Sequence, residues 1–335
     1  MANDAETGPG LTFPQDTFAK LTPRPYLLAH LKHKTPVRPN GRQQNEFRQP
    51  TINTGSLTHS NGSAVVRVGD TAVVCGVRGE ILLASDIPHP PSDDLEEQDL
   101  VEELGLVVPN LELSTGCSPA HIPGNPPTSL AQSLSYRISA VLHDSHCINP
   151  DDLRINYTEP KTEDDLPDEP PKEVTKAYWT LYIDILCLAL DGNAFDAALL
   201  AVTAALRDTT LPKAWWDPDR ESILCSPVVS DSRSLRLSTM PVASSFAVFS
   251  TASHLKKREE AQSWILADAD GFEEELCDET LTVVLNSGPS TGSGTTSILK
   301  IEKTGGTYIG KDVTDLCVRQ ASKRTSDIKT ALGNR

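Results

Sequence analysis

One stretch of the chain constrains its fold more than any other. The segment "AYWTLYIDILCLAL" (177–190) has apolar residues at successive positions, which is typical of a strand covered on both faces. It leads through Asp191-Gly192 into "NAFDAALLAVTAALRD" (193–208), which has a very apolar helical pattern. The sequence therefore predicts a long central strand, a tight turn and a buried helix, which together form the best-packed unit of the chain.

The junction between this strand and this helix raises a functional question. A turn at a helix N-terminus presents free backbone N–H groups and the positive end of the helix dipole, so it favours an anion. However, the next basic residue is Arg207, and the position best placed to hold a phosphate is Phe195. Three interpretations stay open at this point: a phosphate site, a former phosphate site, or a packing turn.

The rest of the chain shows two groups of strands and helices. Two β-rich runs around Gly69-Asp70 predict a hairpin with a type II′ turn. An apolar stripe after Thr128 or Ser129, either of which could be the N-cap, predicts a helix across the sheet. Pro212 and Pro218 mark a candidate domain boundary near residue 211, and short strands are expected beyond it. A last helix is expected over 312–324. The expected strands are 223–229, 245–250, 264–267, 280–285 and 297–303. This arrangement indicates an α+β fold.

Charge is unevenly distributed along the 335 residues. There are 30 basic and 46 acidic side chains, a net charge of −16, which argues against an overall basic field for nucleic acid. Eight carboxylates and no Lys or Arg lie between residues 86 and 104, and seven carboxylates against two lysines lie between residues 159 and 173. We interpret residues 86–110 and 159–173 as solvated acidic insertions. Any RNA contact would need a local basic patch.

Cysteine usage and apolar runs indicate a reducing compartment. The seven cysteines are scattered and do not form a disulfide framework. The chain shows no secretory signal and no run long enough for a membrane span. We therefore expect no membrane association.

Several short motifs suggest chemistry only weakly. "GGTYIGKD" has Asp312 where a phosphate-binding P-loop requires Ser or Thr. The spacing of Cys117, His121, His143, His146 and Cys147 does not match a zinc site. "DADGFEEELCDE" (268–279) is either an acidic metal cluster or, more commonly for such a run, a solvated loop. We predict no metal site and no cofactor.

Four stretches, in their order along the chain, resemble the RNase PH family. They are "VRPNGRQQNEFRQPTINTGSLTHSNGSAVVRVGDTAVVCGVRGE", "SLAQSLSYRISAVL", "YWTLYIDILCLALDGNAFDAALLAVTAAL" and "WILADADGFEEELCDETLTVV". The resemblance implies the RNase PH fold, a duplicated β-α unit with a ribosomal-S5-domain-2-like first half and a smaller second sheet and helix half. It implies a helical extension over 1–36, a first domain over 37–210 that carries both insertions, and a second domain over 211–335.

Within that family the chain is most similar to subunits of the eukaryotic exosome ring. This resemblance implies other RNase PH-like ring subunits, RNA-binding cap subunits and a separate catalytic ribonuclease as partners, with RNA passing through the assembled channel. It also implies a location in the nucleus, including the nucleolus, and in the cytoplasm.

Active family members are phosphate-dependent 3′→5′ exoribonucleases that use a pair of arginines, a Gly-Thr/Ser-Arg turn and a catalytic Asp. By that resemblance, Ser129 and Leu130 replace the arginine pair, Asn193-Ala194-Phe195 replaces the turn, and Glu274 or Glu275 lies near the Asp position. Losing three charge-assisted contacts removes about 5–9 kcal/mol, which a helix dipole of about 0.3–2 kcal/mol does not replace. We therefore expect a degenerate phosphate site, packing by Phe195, helix capping by Asn193 or Asp191, and no catalytic residues.

The sequence thus favours a non-catalytic structural subunit of the exosome core ring, which supports RNA processing and degradation by partner nucleases. The alternative is an active phosphate- or metal-dependent 3′→5′ exoribonuclease that uses the acidic loop. Arg67, Arg78, Arg137 and Arg154 are candidate RNA contacts, and the alternative for each is a solvated or salt-bridged side chain. Arg38 and Arg42 are expected to fasten the N-terminal segment to the core.

Overall fold

The first of two main sheets is built around one central strand. The computed structural model describes residues 14–33, 37–89, 99–119, 121–122, 124–160, 172–250, 262–288, 296–305 and 310–333. The strands of the first sheet are β1 (Pro50–Thr54), β2 (Gly62–Val68), β3 (Thr71–Leu83), β4 (Val107–Leu113), β5 (Arg154–Thr158) and β6 (Glu173–Ala189). Their order is β1-β2-β3-β6-β4, and β5 also pairs with β6. Only the pairing of β4 with β6 is parallel within this sheet.

The predicted central strand and buried helix are confirmed. Strand β6 hydrogen-bonds to β3, β4 and β5, and its Leu181 and Ile183 are fully buried. Helix α6 (Ala194–Asp208) is buried from Ala194 to Leu206, because it lies between the first sheet and a strand of the second. A helix covered on all sides needs apolar residues all round, which is the pattern the sequence shows.

The predicted hairpin and the predicted helix across the sheet are also confirmed. Gly69 joins β2 to β3 with a positive φ of 62°, which a residue with a side chain adopts only with strain. Helix α4 (Ser129–Ser145) begins after Thr128, whose hydroxyl accepts a hydrogen bond from the Ala131 N–H. The helix packs on β4 through Leu134, Ile138, Val141 and Leu142.

The acidic insertion predicted over 86–110 is too long. Residues 90–98 lie outside the described residues, but residues 100–103 form helix α3 (Leu100–Glu103), and β4 begins at Val107. Leu100, Leu106 and Leu111 are buried in the main core. The many carboxylates make this region look solvated in the sequence, although several of its apolar residues pack in the core. Most of the second predicted insertion, 161–171, also lies outside the described residues.

The second sheet is smaller and wholly antiparallel. Its order is β12-β11-β13-β14, formed by β11 (Met240–Ser250), β12 (Ser263–Ala267), β13 (Glu279–Ser287) and β14 (Thr296–Thr304). Two short strand pairs lie between the two sheets along the chain. They are β7 (Thr210–Leu211) with β10 (Arg233–Ser234), and β8 (Ala214–Asp217) with β9 (Ser222–Cys225). The strand predicted over 223–229 is therefore shorter and forms one arm of a hairpin.

The remaining helices contact one or other of the two sheets or one another. They are α1 (Gln15–Leu21), α2 (Pro23–Leu31), α5 (Pro150–Leu153), α7 (Gly271–Leu276) and α8 (Lys311–Gly333). Helix α8 extends beyond the predicted residues and packs through Cys317 and Ala321, whereas Leu316 is 43% exposed. Leu27 and Leu31 of α2 pack with Phe249 and Leu266 of the second sheet. The division into domains at residues 36 and 210 stays a prediction.

Among the described residues, none of the helices combines the length and the apolar character needed to cross a bilayer.

The close approach of β2 to the end of α6 gives a stability prediction. A methyl group on Gly62 would overlap Thr209 Oγ1 and would lie 2.6 Å from the Ala205 carbonyl oxygen. We expect Gly62→Ala to lower the free energy of unfolding by about 1–3 kcal/mol, as overpacking does. Gly288→Ala is the matched control, because a methyl group there meets no atom of the described residues within 4 Å. Urea unfolding of both variants tests this, and equal stabilities would contradict it.

Candidate functional site

The turn before α6 is fixed by contact with the residues that follow β12. Gly192 has a positive φ of 70°, and a methyl group on it would lie 2.7 Å from the Ala269 carbonyl oxygen. Asn193 is the N-cap residue in a left-handed conformation, but its side chain makes no capping hydrogen bond. Its Nδ2 instead donates to Asp196 and Asp268. Asp191 also departs from the expected role, since its Oδ1 accepts from the Gly271 N–H at the start of α7.

A carboxylate of the chain itself lies at the start of α6. The backbone N–H of Asn193 donates to Glu274 Oε2 at 2.9 Å. Glu274 is exposed as a residue, yet its carboxylate end is largely desolvated against the turn. This burial, with the charge of Asp196, raises the pKa of Glu274, although the Asn193 N–H and the Arg48 and Arg137 charges act in the opposite direction.

Phe195 packs against an arginine. It is only 4% exposed, and the guanidinium carbon of Arg137 lies 3.9 Å from its ring centroid. Arg137 also donates from Nε to Glu302 at 2.9 Å and from Nη2 to the Thr282 hydroxyl at 3.2 Å. The guanidinium is therefore held by a ring face, a carboxylate and a hydroxyl at once.

These side chains border one small cavity of about 160 Å³ between α4, α6 and the second sheet. It is lined by Leu130, Leu134, Arg137, Asn193, Ala194, Phe195, Ala247, Glu274 and their neighbours. Five of the seven predicted degenerate-site residues thus come together: Leu130, Asn193, Ala194, Phe195 and Glu274. Ser129 and Glu275 are exposed and are not among the lining residues that the structure describes.

The four candidate RNA contacts do not form one patch. Arg67 and Arg78 lie on the outer face of the first sheet, Arg137 lies at the cavity, and Arg154 lies on β5. Each is within 4 Å of a carboxylate, the partners being Asp70, Glu80, Glu302 and Asp151 in that order. They stay candidates, with Arg67 and Arg78 the more exposed pair.

An ionic pair that the sequence does not reveal fixes the N-terminal arm (37–50). Arg38 is 1% exposed and forms a two-pronged ion pair with the buried Glu273. It also donates to the carbonyl oxygens of Ala267 and Asp268. The Glu273 carboxylate in turn accepts from the Asp270 N–H, which completes a capping box at the start of α7. Arg38 thus fastens the arm to the second sheet, as its sequence position suggests.

Asp268 is the second buried anion of this region. It is fully buried and accepts from Arg48 Nε and Nη2, both at 2.9 Å, and from Asn193 Nδ2 at 2.7 Å. Burial alone would raise the pKa of Asp268, but the hydrogen bond from Arg48 and the charges of Arg324 and Arg48 outweigh it and hold this pKa well below its usual range.

Two carboxylates of the acidic run 268–279 have a structural role that neither alternative from the sequence includes. Asp268 and Glu273 are buried and neutralised by arginines of the N-terminal arm, so the run is not simply a solvated loop. In the part of the chain that the structure describes, no three His, Cys, Asp or Glu side chains are grouped as a metal site would need. The spacing Asp270-x-x-Glu273 is a capping-box pattern, and it is the one local signal that could have indicated this role.

Comparisons with known proteins find the same family in the sequence and the same fold in the structure. The family model described as "3′ exoribonuclease family, domain 1" matches residues 46–212. The chain is 36% identical to the exosome complex component rrp43 of Schizosaccharomyces pombe, over 94% of this chain and 96% of that protein. It is 26% identical to the exosome complex component Rrp42 of Methanopyrus kandleri, over 88% of this chain and 91% of that protein. A chain of the Archaeoglobus fulgidus exosome, solved with RNA bound to the active site, shares the fold with a TM-score of 0.64 and 23% identity, over 92% of this chain and 96% of that one.

The Arg38–Glu273 pair gives a second stability prediction. Arg38→Met leaves the Glu273 charge buried and unpaired, so we expect unfolding to become easier by about 3–5 kcal/mol. The double variant Arg38→Met/Glu273→Gln should recover part of this loss, because no buried charge then stays without a partner. Arg24→Met is the control: its pair with Asp278 is partly exposed, so the change should cost about 1 kcal/mol or less. Urea unfolding gives all three values, and an Arg38→Met cost no larger than that of Arg24→Met would refute the prediction.

The low pKa of Asp268 predicts how stability depends on pH. Its folded pKa lies below the unfolded value of about 3.9, so its contribution is complete above that pH and is lost as pH falls below it. We expect Asp268→Asn to be less stable than the wild-type chain at pH 6, and the difference to narrow between pH 4 and pH 2. Urea unfolding at pH 6, 4, 3 and 2 measures this difference. Parallel curves for the two chains would contradict it.

Proposed function

The chain belongs to the RNase PH family of 3′ exoribonucleases, and from this premise we propose that it is a non-catalytic structural subunit of an exosome core ring. Its partners would be other RNase PH-like ring subunits, RNA-binding cap subunits and a separate catalytic ribonuclease. RNA would pass through the assembled ring, in the nucleus and the cytoplasm. The relatives are named as exosome complex components, which supports the ring role.

The observation that carries the non-catalytic proposal is the state of the cavity at the start of α6. Arg137 is the only Lys, Arg or His among the described residues that line it. Two of its donors, on Nε and Nη2, are directed to Glu302 and Thr282, and its face lies on Phe195. A phosphate entering the cavity would therefore compete with Glu302 and Thr282 for this guanidinium. Leu130 and Ala194 offer it no donor from their side chains.

The magnitudes support the same conclusion. Each charge-assisted hydrogen bond contributes about 1.5–3 kcal/mol, so a site without three arginines is weaker by about 5–9 kcal/mol. That corresponds to roughly three to six orders of magnitude in binding or rate. A phosphate-dependent reaction at this cavity would therefore be too slow to have a physiological role.

The outer face of the first sheet supports an assembly role. Val65, Val74 and Leu186 are directly paired across β2, β3 and β6, and they form an apolar row in which the two valines are partly exposed and the leucine is exposed. Leu188 on the same face of β6 is 43% exposed. Contiguous exposed apolar surface of this kind marks protein–protein contacts. Arg67 and Arg78 lie on this face and are our candidates for contacts to RNA or to a ring neighbour.

The non-catalytic role is tested with the full chain and a 3′-hydroxyl oligoribonucleotide labelled at its 5′ end. With inorganic phosphate, or with Mg²⁺ or Mn²⁺, we expect no shortening above the protein-free control. The ring assembled with a catalytic ribonuclease should shorten the same RNA, and an inactive ribonuclease in that ring should abolish the activity. Phosphate-dependent release of nucleoside diphosphates by this chain alone would overturn the proposal, and metal-dependent release of nucleoside monophosphates would favour the alternative enzyme.

A further inference from the structure

The contact between Glu274 and the start of α6 suggests how the cavity is closed. We infer that Glu274 is a built-in anion, which occupies the backbone N–H of Asn193 and excludes free phosphate from the cavity. This inference rests on the proposed non-catalytic function and adds to it one residue whose charge keeps phosphate out of the cavity. The loss of arginines weakens the attraction for phosphate, whereas Glu274 actively repels it.

The helix start is arranged so that Glu274, and not a local side chain, caps it. Asn193 occupies the N-cap position, but its amide is turned toward Asp196 and Asp268. Asp196, at the N3 position from which a capping-box side chain would accept from the Asn193 backbone N–H, accepts from the Asn193 side chain instead, and Glu274 Oε2 accepts from that backbone N–H at 2.9 Å. A carboxylate at this end of a helix is favoured by the dipole for the same reason that a phosphate would be.

The position of Glu274 is set by the contacts that hold the start of α7 against the turn before α6. Helix α7 is held by its capping box, and its first N–H, that of Gly271, donates to Asp191 in the turn before α6. Gly192 contacts the backbone of Ala269 and Asp270 so closely that a methyl group would not fit. The distance from α7 to the start of α6 is therefore fixed by contacts of residues 269–271, which lie just before Glu274 in the chain, and the carboxylate needs no partner molecule to reach the turn.

The charges around the cavity make this closure effective. A phosphate at the Asn193 N–H would lie beside the carboxylates of Glu274 and Asp196, which are close enough to influence each other. Like charges at such distances repel strongly where water is partly excluded. Arg137, the single cation among the lining residues that the structure describes, is already paired with Glu302. Among the described residues, Glu274 is thus the one carboxylate that both lines the cavity and accepts from the Asn193 backbone N–H.

The inference is tested by removing the charge and keeping the shape. Glu274→Gln retains a carbonyl oxygen that can accept from the Asn193 N–H, and Glu274→Ala removes the acceptor as well. In the full chain labelled with ¹⁵N at its seven phenylalanines, the Phe195 amide reports on the cavity. We expect inorganic phosphate to shift this signal in both variants, with an apparent dissociation constant at least about tenfold lower than in the wild-type chain. Sodium chloride at equal ionic strength should not reproduce the shift.

Glu275→Gln is the matched control, because it removes one carboxylate from the same helix but from an exposed position outside the cavity lining. It should respond to phosphate as the wild-type chain does. If both Glu274 variants stay folded, as judged by the other phenylalanine signals, and respond no more than Glu275→Gln, Glu274 does not close the site. That result would leave the non-catalytic proposal intact, whereas RNA phosphorolysis by the wild-type chain would refute the proposal itself.

Discussion

The buried carboxylate of Asp268 is the interaction on which the junction between the two sheets depends. Removing such a charge from water costs several kcal/mol, so it is stable only where cations and donors surround it. Arg48 from the N-terminal arm supplies a two-pronged contact, and Asn193 from the start of α6 supplies a third donor. Three segments distant in sequence therefore have to meet at one point. Their meeting fixes how the turn before α6 faces the end of β12.

Asp196 extends this network to the other elements of the second sheet. Its carboxylate accepts from the Ser245 N–H and hydroxyl on β11 and from Arg324 on α8. Arg324 is itself buried, and its guanidinium lies over the ring of Phe47. The arginines at this junction are thus each engaged by carboxylates or rings of the chain itself. An arrangement of this kind stabilises the fold, but it leaves few cations for a substrate.

The sequence predicts the elements that rest on strong local patterns. Strand β6, helix α6, the β2–β3 hairpin and helix α4 all follow from apolar periodicity and turn residues within about 20 positions. Strand β4 is not predicted, because eight carboxylates dominate the composition of the sequence before it, although Leu106 and Leu111 are buried. The partners of Asp268 and Glu273 could not be predicted, because Arg48 and Arg38 lie more than 200 residues away in the chain. A single sequence contains no signal for such a pairing.

In the role that we propose, a phenylalanine in place of an arginine at the start of α6 would weaken phosphate binding and also improve packing. An arginine at the start of α6 would be a desolvated charge in the absence of phosphate, whereas Phe195 at that position is almost fully buried and provides a ring face for Arg137. A cation over an aromatic face contributes about 0.5–2 kcal/mol, and the apolar surface of the ring adds to this. The anion-binding residues of such a fold lie at helix ends around a cavity, outside the layer formed by β6 and α6. They can therefore be replaced by packing residues while the core stays the same, and a non-catalytic subunit of the kind we propose could keep the architecture of an enzyme in this way.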